Sequence, residues 1–193
     1  NDDDAITMMV AGAFANITAS DFAALKIIND NATETIVSLA HSQNQRVRQF
    51  CCKAIFNLTR TPGLEANLVS QGVLSPIIQL RPDSREMSHA CISSIFNLSC
   101  VSSTYLRMEK VVQSTIAIVN AINENVEVKG YETYREELLL CAKAFKNYSN
   151  MEGFRVRLME EGALHAIFTL CKIGYNFFDN HKGRYSTFIS NNT

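Results

Sequence analysis

The sequence predicts an all-α chain built of stacked helical repeats, and three observations predict it. First, Arg46 to Thr59, RVRQFCCKAIFNLT, places Val47, Phe50, Cys51, Ala54, Ile55 and Leu58 on one face of a helix. Second, the same helix returns. MMVAGAFANIT, CCKAIFNLT, CISSIFNLS and CAKAFKNYS run through Asn16, Asn57, Asn97 and Asn147, and a weaker copy, STFISNNT, through Asn191. Third, a turn signature recurs between these helices, in NDNATETIVSL at Asn31, VSQGVLSPIIQL at Gly72 and EEGALHAIFTL at Gly162. A fixed period of about 40 residues made only of helical patterns marks a stacked α-solenoid.

Taken in order, Asn1 to Asp4 caps an extra N-terminal helix over residues 4–18. A first repeat over 20–59 carries FAALKIIN, ATETIVSLAHS and the Asn57 helix. The second, 61–99, opens at Thr61-Pro62-Gly63 and breaks again at Pro82-Asp83. The third, 102–149, has no Gly near Gln113-Ser114, so the start of VVQSTIAIVNAI is open by a residue or two. It also holds an insertion, NENVEVKGYET at 123–133, expected to be a surface loop. The fourth, 151–193, has EGFRVRLMEEGALHAIFTLCK, a polar-aromatic connection GYNFFDNHKG, and a last helix. Both ends of the sequence cut through repeats, which suggests an excerpt of a longer array or ends covered by another chain.

The 193 residues are 47% hydrophobic, enough for one continuous core. Eighteen basic and 19 acidic residues give a net charge of −1, which argues against a general nucleic-acid or anionic-membrane surface. No apolar run approaches the roughly 18 residues of a spanning helix, and no signal peptide is visible. Cys51, Cys91 and Cys141 share one repeat position on the buried face, so they read as reduced core thiols. That implies a reducing compartment, the cytoplasm or nucleus. Cys52, Cys100 and Cys171 have no metal-ligand spacing, and no C-x-x-C is present.

The run of helix, Gly-Ala turn, apolar helix and A-x-x-N-L-S/T resembles the armadillo repeat. The resemblance covers nearly the whole chain and is most specific in GVLSPIIQL, AIFNLT and SIFNLS. It implies a right-handed α-solenoid of three-helix repeats, about four of them plus the extra helix. It further implies that the third helices floor a concave groove where Asn16, Asn57, Asn97 and Asn147 meet the backbone of an extended peptide, an amide being both donor and acceptor. The alternative is that some of these amides tie adjacent repeats together. Four residues before each Asn stand Gly12, Lys53, Ser93, Lys143 and Thr187. Importin-α-like armadillo proteins have Trp there, and this chain has none, which disfavours recognition of import signals. Lys53 and Lys143 are instead similar to the lysine-studded grooves of β-catenin-like members, although two solvated lysines would read the same. One more turn back the same face shows Gln49 and His89. The expected groove set is Asn16, Gln49, Lys53, Asn57, His89, Ser93, Asn97, Lys143 and Asn147.

Catalytic patterns are missing from the sequence. His89 and Cys91, two apart on a helix, point about 200° apart. His41, His165 and His181 have no paired acid or ligand spacing, and there is no phosphate loop, H-E-x-x-H or G-x-S-x-G. The repeat Asn residues match the N-glycosylation pattern, but on packed helices rather than surface loops. The expected function is a non-catalytic protein–protein scaffold or adaptor without metal or cofactor, cytoplasmic, nuclear or cytoskeleton-associated. Its expected partner is an extended protein segment with some acidic character. Two alternatives stand beside it, a structural subunit of a cytoskeletal or ciliary assembly packed through residues such as Met9 and Phe14, and a nuclear-transport adaptor.

Overall fold

The computed structural model of the chain describes residues 2–79, 84–101, 108 and 110–190, with side chains as far as 177. Its regular structure is entirely helical, with no strand among the described residues. Helix α1 (Asp2–Ile17) is the extra N-terminal helix. The span 20–59 holds α2 (Asp21–Asn29), α3 (Thr33–Leu39) and α4 (Gln45–Thr59). The next holds α5 (Glu65–Ser70), α6 (Leu74–Gln79) and α7 (Arg85–Ser99). Then come α8 (Val111–Lys129), α9 (Tyr131–Asn150), α10 (Phe154–Glu160) and α11 (Ala163–Ser190). The expected break at Pro82-Asp83 and the repeat Asn191 lie outside the described residues.

Local chemistry sets the boundaries. Asn44 caps α4, its Oδ1 accepting from Arg46 N–H at 2.9 Å, and Ser84 caps α7, its Oγ accepting from Met87 N–H at 3.2 Å. At the recurring turn the backbone enters the left-handed region, with φ of 58° at Asn31, 87° at Gly72 and 81° at Gly162. There Ala32 N–H donates to the Ile27 carbonyl at 3.0 Å and Asn31 N–H to that of Ile28 at 3.2 Å. Val73 and Gly72 repeat the pattern on Leu68 and Val69. This paired closure satisfies carbonyls the helix end would otherwise leave open, and it needs the positive φ that Gly and Asn tolerate. Gln71 then reaches back one repeat, its Nε2 donating to the Ile28 carbonyl at 2.8 Å and Asn31 Oδ1 at 2.9 Å.

The Asn-bearing helices pack in series, α4 on α1, α7 on α4 and α9 on α7, while α8 and α11 pack against α9 and each other. Ala11 and Ala15 of α1, Ile55 and Leu58 of α4, Ile95 and Leu98 of α7, and Ala144 and Tyr148 of α9 are all buried. Tyr148 stands where α4 and α7 carry Leu58 and Leu98. Its added hydroxyl meets Thr115 Oγ1 at 3.2 Å, which keeps a buried polar atom satisfied.

Two expectations from the sequence are corrected. Residues 123–133 do not form a surface loop. Helix α8 continues to Lys129, Gly130 alone interrupts it, and α9 begins at Tyr131. The insertion therefore lengthens a helical hairpin, to 19 and 20 residues against 15 in α4 and in α7. Its polar composition hid two anchors: Val126 packs on the core, and Tyr131 stacks on Phe177 with ring centroids 4.1 Å apart. The connection GYNFFDNHKG is also no break, because α11 runs unbroken for 28 residues. A Gly inside a helix costs only about 1 kcal/mol, which the Tyr131–Phe177 contact and packing on α8 and α9 can offset.

All six cysteines are free, with Cys51, Cys52, Cys91 and Cys141 buried and Cys100 and Cys171 exposed. The adjacent Cys52 turns towards the next repeat, where its Sγ lies 3.9 Å from that of Cys91. Burial pushes the Cys51 thiol up to about 12. The hydrogen bond with Cys91 and burial push Cys52 up as well, and burial raises Cys141 and Tyr148.

Two predictions follow from these environments. Gly130, at φ 82° and ψ 151°, sits where essentially only Gly is unstrained, and no atom lies within 4 Å of an added Cβ. Gly130→Ala should therefore destabilise by about 1–3 kcal/mol through the backbone alone, read as a lower urea midpoint at unchanged slope. The raised thiols give the second. The folded chain keeps protons that the unfolded chain loses above about pH 8.5, so stability is full below that pH and falls as pH rises. Urea midpoints should drop between pH 8 and pH 10.5, and a flat profile would contradict the burial of these thiols.

Candidate functional site

The site is built on the exposed sides of α1, α4 and α7, and its repeated element is the asparagine. Asn57 is only 8% exposed. Its Nδ2 donates to the Ala15 carbonyl and to Thr18 Oγ1, both at 3.2 Å. Asn97 Nδ2 donates to Thr59 Oγ1 at 3.3 Å, and Asn147 Nδ2 to Ser99 Oγ at 2.9 Å. In all three cases one acceptor is the Ser or Thr two residues beyond the preceding repeat Asn. Each of those hydroxyls in turn donates to a carbonyl of its own helix end: Thr18 to Phe14 at 2.7 Å, Thr59 to Phe56 and Ser99 to Phe96, both at 2.8 Å. A hydroxyl has one proton to give and lone pairs to accept with, so it serves both partners at once.

This clasp explains the S/T of the A-x-x-N-L-S/T pattern, whose role the sequence left open. It also sets what the amides offer to a ligand. In Asn57, Asn97 and Asn147 the nitrogen is committed to the neighbouring helix, and Oδ1 has no protein partner among the described residues. Asn16 differs, being exposed with neither end of its amide bonded among the described residues.

Two hollows of about 610 Å³ each lie along this face. The first, between α1 and α4, is lined by Met8, Gly12, Asn16, Arg46, Gln49 and Phe50, among others. The second, between α4, α7 and the start of α9, includes Lys53, Asn57, Arg85, His89 and Glu137, with Phe50, Phe56 and Met87 as apolar walls. Gln49 and Phe50 belong to both, so the hollows adjoin. The structure thus brings together Asn16, Gln49, Lys53, Asn57 and His89. Ser93 does not join them, since it is 6% exposed and packed in the stack. Asn97, Lys143 and Asn147 lie outside both hollows. Lys143 is exposed with its Nζ 5.5 Å from the Phe96 ring centroid, a cation–π contact within its own stack.

The polar centre of the second hollow was missed by sequence reasoning. Glu137 is 1% exposed, and its Oε1 accepts from Arg85 Nε at 3.0 Å with His89 Nδ1 at 3.6 Å. Its Oε2 is buried with no partner among the described residues. A signal was present, because Glu137 falls ten residues before Asn147, where the other repeats carry Ile6, Val47 and Met87. Among the described residues no group of three His, Cys, Asp or Glu side chains could hold a metal ion.

The clasp makes a stability prediction. Asn57→Ala should cost about 1–2 kcal/mol, and Asn57→Asp at least as much, because an acceptor would then face acceptors. Asn16→Ala should stay within about 0.5 kcal/mol. Chemical denaturation of the three variants separates these outcomes; equal midpoints for Asn57→Asp and the parent would refute the clasp.

No family model, curated protein or solved structure matches this chain.

Proposed function

We propose that the chain is an armadillo-type repeat domain, a non-catalytic scaffold that holds an extended protein segment along the exposed side of α1, α4 and α7. The observation that carries this reading is the pair of adjoining hollows, which share Gln49 and Phe50 and gather Asn16, Lys53, Asn57 and His89 along serially packed helices. The committed amide nitrogens leave carbonyl oxygens for the ligand, suited to backbone N–H groups of an extended chain. Lys53 adds positive charge for acidic side chains on that segment, Arg85 being paired with Glu137. Because the clasps fix these groups beforehand, a segment binds without ordering its receptor. The buried reduced thiols fit a cytoplasmic or nuclear setting.

The test compares capture of protein partners by the parent chain and by a Gln49→Ala, Lys53→Glu double variant, neither residue being part of a clasp. The variant should keep its helical circular dichroism and urea midpoint, yet bind the captured segment at least tenfold more weakly. Parent binding should weaken with added salt. Equal recovery would move the function elsewhere on the surface.

One observation favours a second reading, a structural subunit packed in a larger assembly. Met9 is 71% and Phe22 79% exposed, with Ile6 also outward, all three in α1 and α2, whereas Phe14 packs on the core. On this reading Met9→Lys and Phe22→Glu abolish assembly, while the groove variant is silent. No single helix among the described residues is long and apolar enough to cross a membrane.

A further inference from the structure

We infer, independently of the groove reading, that a second copy of this chain stacks head to tail on the first. Its α1 lies over α9, α10 and α11 of its neighbour as the third helix of the last repeat. The first open surface is on α1 itself. Val10 and Ile17 hold the repeat positions of Cys51 and Leu58 in α4 and of Cys141 and Tyr148 in α9. Those four are at 0% exposure, whereas Val10 is 40% and Ile17 49% exposed. Ile6, Ala13 and Asn16 are exposed too, where Val47, Ala54 and Asn57 of α4 are buried. Among the described residues, α1 is thus an Asn-bearing helix without the two short helices of its own repeat and without an earlier helix packed on it.

The other end presents the reverse. In α4, Cys52, Phe56 and Thr59 face the next Asn-bearing helix, meeting Cys91, His89 and Asn97. Their counterparts in α9, Ala142, Lys146 and Ser149, are exposed. Ser149 Oγ donates to the Lys146 carbonyl at 2.8 Å, as the clasp hydroxyls of Thr59 and Ser99 do at their own helix ends. No asparagine donates to it among the described residues. Beyond it, α10 and α11 take the places of α2 and α3, but α11 runs unbroken to Ser190 and does not turn back as a third helix. Met159 and Leu164 are exposed where Ile28 and Thr33 are buried. Phe168 is exposed as well, although its counterpart Val37 meets the Gly72 turn of the following repeat.

Each end therefore carries what the other lacks. An unrelated partner would have to supply both an amide for Ser149 and a hydroxyl for Asn16, whereas a second copy brings them already placed. Stacked in the register of the chain, Asn16 Nδ2 of one copy donates to Ser149 Oγ of the other, and the Asn31 turn covers Phe168 as the Gly72 turn covers Val37. Val10 and Ile17 are then covered by α10 and α11. Lys146 stands where α4 and α7 carry Phe56 and Phe96, so this joint buries less apolar surface than those within the chain and depends on concentration. It joins two different surfaces and leaves one of each open, so it grows past a pair.

Sedimentation velocity of the whole chain at rising concentration tests this with two blocked variants. Ile6→Asp with Ile17→Lys charges α1, and Phe168→Asp charges α11. All three side chains are exposed, so circular dichroism and urea midpoints of the dilute variants should match the parent. The parent should grow beyond a dimer, and each variant alone should stay monomeric. Their equimolar mixture should form a dimer and stop there, since one open surface of each kind remains. Adding Asn16→Ala to the Phe168→Asp chain should weaken that mixed dimer about fivefold, the worth of one neutral hydrogen bond. A parent still monomeric at about 1 mM, a dimer of Phe168→Asp alone, a mixture that does not pair, or a mixed dimer indifferent to Asn16→Ala would each overturn the inference. The Gln49 and Lys53 comparison decides the groove separately.

Discussion

Between α1 and α4, α4 and α7, and α7 and α9, an asparagine amide donates to a hydroxyl that is itself donating into the end of its own helix. The geometry of the stack depends on this two-step bond. Apolar packing alone holds helices together without fixing how far one slides along the next, since burial is not directional. A hydrogen bond fixes that slide, because the amide must meet a particular oxygen at about 3 Å. The accepting hydroxyl in turn gives its proton to a carbonyl in the last turn of its own helix. The direction is the same each time, with the later helix giving and the earlier one receiving.

The third span shows how the stack absorbs variation without losing this register. Extra residues go into lengthening α8 and α9 around Gly130, away from the Asn147 clasp, and Tyr131 stacking on Phe177 anchors the added turns. Tyr148 replaces a leucine and brings its own hydroxyl partner in Thr115. Glu137 replaces an apolar residue and brings only half of its partners. The first two substitutions are closed within the chain, and the third leaves a buried oxygen without a partner among the described residues.

Much of the all-helical architecture was legible because the repeat is written in spacing. Of the apolar face predicted for α4, Val47, Cys51, Ala54, Ile55 and Leu58 are buried while Phe50 is exposed, and the position of Asn31, Gly72 and Gly162 marked the left-handed turns. What was not legible came from neighbours distant in sequence. NENVEVK reads as a loop by composition until Tyr131 and Phe177 are seen to meet. Ser93 shares the lysine column yet is buried, because a small side chain lets the adjacent helix close over it. The clasp made by the Asn amides was visible only as one of two alternatives, since a spacing cannot say which end of an amide a neighbour uses. Glu137 was readable in principle, as the charged member of an apolar column, but Arg85 and His89 reach it from another helix.

The clasps join residues 39, 38 and 48 positions apart, a separation set by one repeat and not by the length of the chain. Loop-closure entropy grows only slowly with separation, so the three ties face nearly the same entropic barrier and none waits for the two ends to meet. Folding of such a chain has no obligatory first contact; any adjacent pair of helices can nucleate it and the rest can zip outward in either direction. The hairpin of α8 and α9, joined through a single residue, has the least chain freedom to surrender and so offers the shortest route to a nucleus.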